Sequence, residues 1–363
     1  MFALTAVQAH FGDCLLVTYG DLSSPHYLLV DGGPANTYGQ HLSPVLTQIK
    51  ESGHDVELAV LSHVDTDHVT GLLDYIVDLR AGNTTVPEIG ALWHNSFGKT
   101  IDVNGTLTPR LKAAFATAGA AVMSTSAVAI NGIDEGNKLR LQALALGLPL
   151  NEGFVGDLVT TESASSLWKS ANLELTVVGP TPANLEELRK KWEKWLNDLE
   201  EAVSSGDPYV MANSDRSVPN LSSIQLFAKA DGKTMLLTGD GRSDHLVQGL
   251  GAAGLLDNGG KLHVDLLKLA HHGSDRNATK TFFKKITADV YVVSADGTND
   301  NPDLATLIWI VEAAKAADRE VRLVCTNETD STRQLQENYD PAEYGYELEI
   351  MSHDVHDITV KLA

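Results

Sequence analysis

The stretch Ser62-His63-Val64-Asp65-Thr66-Asp67-His68 places four potential metal ligands within six residues. It follows the apolar run Leu58-Ala59-Val60-Leu61. A short apolar run of that kind reads as a buried strand. The ligand cluster then stands in the loop at the carboxyl end of that strand, where α/β sheets carry their sites. Gly71 and the apolar Leu72, Leu73, Tyr75 and Ile76 come next, so a helix is expected from about Val69. Two imidazoles and two carboxylates suit a hard or borderline divalent cation such as Zn²⁺ or Mn²⁺. A polar loop with two surface histidines is the plainer alternative, and the order strand, ligand loop, helix argues against it.

Two later segments have the same form. Thr234 to Asp240 reads as a strand ending in a carboxylate, and Asp265 to Ser274 as a strand ending in His271-His272-Gly273-Ser274. Three strand ends converging at one sheet edge could build a two-metal centre.

Together these segments resemble the metallo-β-lactamase fold, above all the hydrolase domain of the DNA-uptake competence proteins. The His-x-Asp-x-Asp-His loop at 63–68, the Thr238-Gly239-Asp240 strand end and the His271-His272-Gly273-Ser274 turn carry the resemblance. Gly12-Asp13-Cys14-Leu15-Leu16-Val17, Leu29-Val30-Asp31-Gly32-Gly33 and the Asn/Ser segment Asn220–Leu226 agree with it. It covers roughly residues 1–100 and 215–325. Position 65 is Asp where most of the superfamily carries His, and no clear histidine replaces the third-motif ligand. The site is therefore richer in oxygen, and Mn²⁺ or Mg²⁺ joins Zn²⁺ as a fitting ion.

The resemblance implies an αββα sandwich and a dinuclear site holding two divalent ions, Zn²⁺ or Mn²⁺ foremost. His63 and Asp65 would lie on one ion, and Asp67 and His68 on the other with a histidine of the 271–272 pair. Asp240 would bridge them, and the two cations would turn a shared water into a metal-bound hydroxide nucleophile. Asp67 could also orient that nucleophile. Within the pair, which ring is a ligand stays open; the other could bind an anionic oxygen or protonate the leaving group. Asp67, His271 and His272 are thus the expected catalytic residues. His94, Asn95 and Ser274 follow strand ends and are expected nearest the substrate, with Lys268 less firmly placed. The expected substrate is a phosphodiester or related phosphoester. A lactone or carboxyl-ester hydrolase, a nuclease and a non-catalytic metal-binding partner module are the alternatives.

Charge narrows the choice. With 48 acidic and 27 basic residues the formal net charge is -21. Such a surface repels phosphate backbones, disfavouring long duplex nucleic acid but admitting a small anionic substrate. The basic cluster Arg189-Lys190-Lys191 is interleaved with Glu186, Glu187 and Glu193, as on a solvated helix face. No apolar run approaches the roughly 20 residues of a membrane span. The amino-terminal segment reads as a first strand rather than a signal peptide, and no membrane partner is expected. Cys14 and Cys325 lie in apolar, strand-like surroundings and read as buried free thiols, which fits a freestanding cytoplasmic protein.

A single domain over 1–363 is expected, with 100–215 as a mostly helical accessory insertion. Within it, 107–118 and 134–147 read as helices, 151–170 as a loop and 173–178 as a strand. Leu185, Leu188, Trp192, Trp195, Leu196 and Leu199 form one apolar stripe on a helix from 182 to about 203. Beyond 221, a hairpin at Asp231-Gly232 leads into alternating strands and helices. The remaining histidines at 41, 54, 245, 263, 353 and 356 have no such setting and read as surface or core residues.

Overall fold

Alternation along the first strands sorts their side chains between two faces. In β1 (Phe2–Val7), β2 (Leu15–Asp21) and β3 (Ser24–Val30), one face presents Phe2, Leu4, Ala6, Leu15, Val17, Tyr19, Leu28 and Val30 to a common core. Leu16 and Leu29 point to the opposite face. Period-two patterning buried on both sides requires a covering layer on each. The structure, a computed structural model describing residues 1–118, 123–162, 167–205 and 222–363, provides both layers.

The first sheet adds β4 (Val56–Leu61), β5 (Leu92–His94) and, at its far edge, β14 (Asp357–Lys361); its order is β14-β1-β2-β3-β4-β5. The second runs β13-β12-β11-β10-β9-β8-β7-β6. Its members are β6 (Leu167–Ser170), β7 (Leu173–Gly179), β8 (Gln225–Ala230), β9 (Lys233–Leu237), β10 (Leu262–Lys268), β11 (Ile286–Val293), β12 (Val321–Cys325) and β13 (Tyr346–Ile350). From β9 to β13 neighbouring strands are parallel, and from β6 to β9 antiparallel.

Between the sheets, Leu175, Val177, Leu226, Ala228, Met235 and Leu237 meet the residues of β1 to β3. Helices Ser43–Glu51 and Thr66–Arg80 cover the outside of the first sheet with Leu46, Ile49, Val69, Leu72 and Ile76. Helices Ser243–Ala252, Lys280–Lys285 and Leu304–Ala316 cover the second with Leu246, Leu250, Phe283, Leu307 and Ile310. The result is the expected αββα sandwich. Each fully buried aliphatic side chain contributes ~1.5–3 kcal/mol.

Residues inserted after β5 are mostly helical: Phe97–Thr100, Leu107–Ala118, Met123–Ala145 and Pro182–Ser205. The stripe of the last helix, Leu188, Trp192, Leu196 and Leu199, buries against Phe97, Ile101, Leu107 and Leu111. Phe97 and Trp192 meet edge to face at 5.0 Å between centroids. Helix Met123–Ala145 lies against the ligand loop: a Cβ on Gly132 would come within 2.3 Å of the Val64 carbonyl oxygen.

Several boundaries differ from the sequence reading. The helix after β4 starts at Thr66, so Asp67 and His68 are in its first turn, where an acidic side chain suits the dipole. The helix expected at 134 begins at Met123. Part of the expected loop 151–170 is β6, which pairs antiparallel with β7 and gives the insertion two strands of the second sheet. An unforeseen helix, Asp330–Asn338, starts from a Thr329–Thr332 capping box. Asn220 and Leu221, with the polar stretch 206–215 and positions 163–166, lie outside the described residues.

Candidate metal centre

Every expected ligand stands at the carboxyl end of a strand. His63 and Asp65 leave β4, Asp67 and His68 open the following helix, Asp240 follows β9, and His271 and His272 follow β10. The helix is seated by close backbone contact. A Cβ on Gly71 would lie 1.9 Å from the Gly32 carbonyl oxygen, and Gly71 N donates to Gly33 O at 2.9 Å. Gly32 N donates to His68 O at 2.8 Å, so the turn after β3 fixes the first turn of the helix. His271 and His272 have φ of 49° and 56°. Left-handed backbone costs roughly 1–2 kcal/mol per non-glycine residue, and two in succession aim both rings at one point.

That point is the Asp240 carboxylate. Its Oδ1 lies 3.3 Å from His68 Nε2 and 3.8 Å from His272 Nε2. Its Oδ2 lies 3.6 Å from His63 Nε2 and 3.7 Å from His271 Nε2. Asp67 Oδ2 is 3.3 Å from His272 Nε2, and Asp65 Oδ2 is 3.5 Å from His63 Nε2. The ligand atoms of Asp67, His68, Asp240 and His272 all fall within 4.8 Å of one another, as do those of His63, Asp65 and Asp240. The two sets share Asp240.

Behind the rings, partners fix each tautomer. His68 Nδ1 donates to Asp31 Oδ2 at 2.9 Å, and His272 Nδ1 to the Ser294 carbonyl at 2.9 Å. His271 Nδ1 donates to Asn277 Oδ1 at 2.8 Å, and His63 Nδ1 lies 3.0 Å from Ser62 Oγ. Ser62 itself donates from N and Oγ to Asp31, at 2.6 and 2.7 Å. Assigned from this network, each ring in its neutral form would carry its lone pair on Nε2, facing Asp240. The buried His63 Nε2, His68 Nε2, His272 Nε2 and Asp240 Oδ1 have no hydrogen-bond partner. An unsatisfied buried polar atom costs ~1–3 kcal/mol. Four of them facing one another fit shared cations, and the donor set is one that divalent ions accept. A third set, Asp13, Asp31 and His68, also lies within 4.8 Å. Its carboxylates are already engaged: Asp31 holds Ser62 and His68 by hydrogen bonds, and Asp13 is ion-paired with Lys268 at 2.8 Å.

The electrostatics agree. Burial alone would lower the His68 and His272 pKa values, but Asp240 and neighbouring carboxylates raise His68 well above its ordinary range and His272 to about 10. Burial would likewise raise Asp240, and the surrounding histidines instead hold it well below the usual carboxylate range. Without cations the carboxylates keep imidazolium protons as their counter-charge. A raised histidine pKa adds stability that is complete below the unfolded value and lost as pH climbs through the folded one. The metal-free protein should therefore lose stability between about pH 6.5 and the His272 value of about 10, while metal uptake improves as protons leave. Urea unfolding in chelator across that range checks the first half; stability that rises with pH would contradict it.

Residues 9–139 match the metallo-beta-lactamase superfamily. That superfamily consists mostly of metal-dependent hydrolases, and the αββα sandwich with its helical insertion is of the metallo-beta-lactamase type. The chain is also similar to YhfI, a metallo-beta-lactamase fold protein from Bacillus subtilis, at 11% identity and TM-score 0.39 over 99% of both chains. It is similar to Zn²⁺-bound PqqB from Methylobacterium extorquens at 12% identity and TM-score 0.40 over 100% of both. No curated protein matches it.

The superfamily match ends at residue 139, so Asp240, His271 and His272 lie beyond it. The other expected substrate residues are placed as follows. His94 is buried beside the Val64 turn, and burial, then Arg140, lower its pKa to about 3, leaving a neutral ring. Asn95 bonds both ways with the backbone of Val159, at 2.8 Å each. Ser274 Oγ lies 3.4 Å from Asp303 Oδ2 and is buried. Lys268 is buried too, its Nζ held by Asp13 and by the Leu269 carbonyl at 2.9 Å. In the sequence, Asp13 and Asp31 appear only as parts of the segments Gly12–Val17 and Leu29–Gly33. Their signal was available: each is a carboxylate in the turn flanking a buried strand, as the ligands are.

Proposed function

We propose that this chain is a metal-dependent hydrolase acting on a compact phosphodiester or related phosphoester. The observation that carries the reading is the convergence of three unpartnered buried imidazole nitrogens, from His63, His68 and His272, on the Asp240 carboxylate, whose Oδ1 is itself unpartnered. His63, Asp65 and Asp240 would hold one ion, and Asp67, His68, Asp240 and His272 the other, with Zn²⁺ or Mn²⁺ favoured by the mixed nitrogen and oxygen donors. Divalent ions in such a place polarise a phosphoryl oxygen and acidify water.

The protein's own groups then divide by exposure. His63, His68, His272 and Asp240 are nearly closed off, whereas side chains of Asp65, Asp67 and His271 remain 22%, 22% and 27% exposed. Those three line the mouth. In this reading Asp67 would orient an attacking water, and His271, steadied by Asn277, would meet a substrate oxygen. The oxygen-rich loop with Asp65, together with the His271-His272-Gly273-Ser274 turn, supports a relationship to the competence-protein hydrolase branch. Free, buried Cys14 and Cys325 support a reducing, cytoplasmic setting. Among the described residues no helix is long and apolar enough to cross a membrane.

The test is a substrate panel of a small chromogenic phosphodiester, a nucleotide phosphoester, a lactone and duplex DNA, with added Mn²⁺ or Zn²⁺. Phosphodiester turnover that varies little with salt, and poor duplex binding, are expected from the -21 net charge. Tight duplex binding with a steep salt slope would restore the nuclease reading. Lactone turnover alone would move the chain to ester hydrolysis, and bound metal with no turnover to a binding module.

A further inference from the structure

Three histidines from distant segments meet at the surface, apart from the Asp240 centre. His10 lies in the loop after β1, His41 in the helical turn Tyr38–Leu42, and His356 in the turn before β14. Their rings touch in a row: His10 and His41 are 5.8 Å apart between centroids and His41 and His356 5.4 Å, both edge to face. The Nδ1 atoms of His41 and His356 are 3.2 Å apart.

Two neutral imidazoles can sit at that distance through one shared N–H. Two nitrogens on one cation sit there as well. Metal–nitrogen bonds of ~2.0–2.1 Å put tetrahedral neighbours roughly 3.4 Å apart and cis square-planar neighbours roughly 2.9 Å apart. We propose that His41 and His356, with His10 alongside, form a second, surface site for a borderline divalent transition metal of the Cu²⁺, Ni²⁺ or Zn²⁺ class.

Imidazole is the ligand these ions share, and water completes the shell at a site open to solvent. His10 and His356 are exposed and His41 is half-buried. Burial, then the neighbouring His10 and His356, lowers the His41 pKa, which keeps its nitrogen free of a competing proton. The backbone is already tied in place. Gln8 N donates to the His356 carbonyl at 2.8 Å, and His10 N to Gln8 Oε1 at 3.0 Å. His10 has φ 52°, a left-handed turn conformation in which histidine is among the more tolerated residues. Its exposed ring stands next to His41 and would have to rotate to share the same cation. The loop concerned runs on to Asp13, whose N donates to the Asp67 carbonyl at 3.2 Å. A cation at the histidine row would thus restrain the loop that backs the main centre.

The test uses untagged full-length protein titrated with Cu²⁺, and compares it with His41→Ala/His356→Ala. The double variant should bind one Cu²⁺ equivalent fewer, and the corresponding nitrogen hyperfine signal should vanish from its electron paramagnetic resonance spectrum. His10→Ala should keep that equivalent at weaker affinity. All three side chains are at the surface, and circular dichroism of the metal-free variants checks that they fold. A variant carrying His63→Ala, His68→Ala and Asp240→Asn should retain the surface equivalent, which separates this site from the main centre. Equal Cu²⁺ uptake by wild type and His41→Ala/His356→Ala overturns the proposal.

Discussion

Asp240→Asn should abolish most metal binding on both sides of the centre while the sandwich stays folded. The single carboxylate faces four Nε2 atoms, at 3.3 to 3.8 Å, and belongs to both ligand sets. Asn keeps the shape but removes the charge that both ions would share. Loss of partners one layer further out already costs about 10–100-fold in metal affinity or activity, so a shared ligand should cost more than about 100-fold. The metal-free variant gives up the counter-charge of His68 and His272 and with it some stability at neutral pH, but those rings can shed their protons and the sandwich stays folded. Metal content and turnover, measured on the same preparation, decide the matter. Retained metal with full turnover would show that Asp240 only shapes the turn.

Lys268→Met should give the largest loss of stability from a single change near the site. Lys268 Nζ and the Asp13 carboxylate are buried and 2.8 Å apart, and they join the start of β2 in one sheet to the end of β10 in the other. Burial by itself would raise the Asp13 pKa; Lys268, then His272, hold it far below the carboxylate range. Removing the lysine strands that charge, at a cost of about 3–5 kcal/mol. The paired change Asp13→Asn/Lys268→Met strands nothing and should recover most of the loss. Urea unfolding of the two singles and the double closes the cycle. A Lys268→Met protein within about 1 kcal/mol of wild type would falsify this account of the pair.

What could be read beforehand follows physical range. The ligand clusters were legible because each lies within a few residues of an apolar strand, and a strand end is a local signal. The sandwich followed from alternating patterns and a resemblance spread over many motifs. The start of the helix at Thr66 was not legible, since no side-chain cap marks it and the turn after β3 sets it through backbone contact. The Lys268–Asp13 pair spans 255 positions, and no local pattern announces it. The same holds for His41 and His356, which are 315 positions apart and read singly as ordinary surface residues. Strand β6 was hidden by its composition: its four residues, Leu167 to Ser170, follow a serine-rich stretch and sit at a sheet edge, where burial is slight.

The two halves of the centre come from different sheets. His63, Asp65, Asp67 and His68 follow a strand of the first, whereas Asp240, His271 and His272 follow strands of the second. An ion held among them is a clip across the mouth of the sandwich, closing a loop of well over a hundred residues. Clips of that span stabilise most, because an open chain has most freedom to lose. Each tenfold excess of free metal over its dissociation constant adds about 1.4 kcal/mol against unfolding. Metal supply would then govern how long a molecule survives proteases, and not only how fast it works. In a metal-starved cell the first sign would be falling abundance of the protein itself.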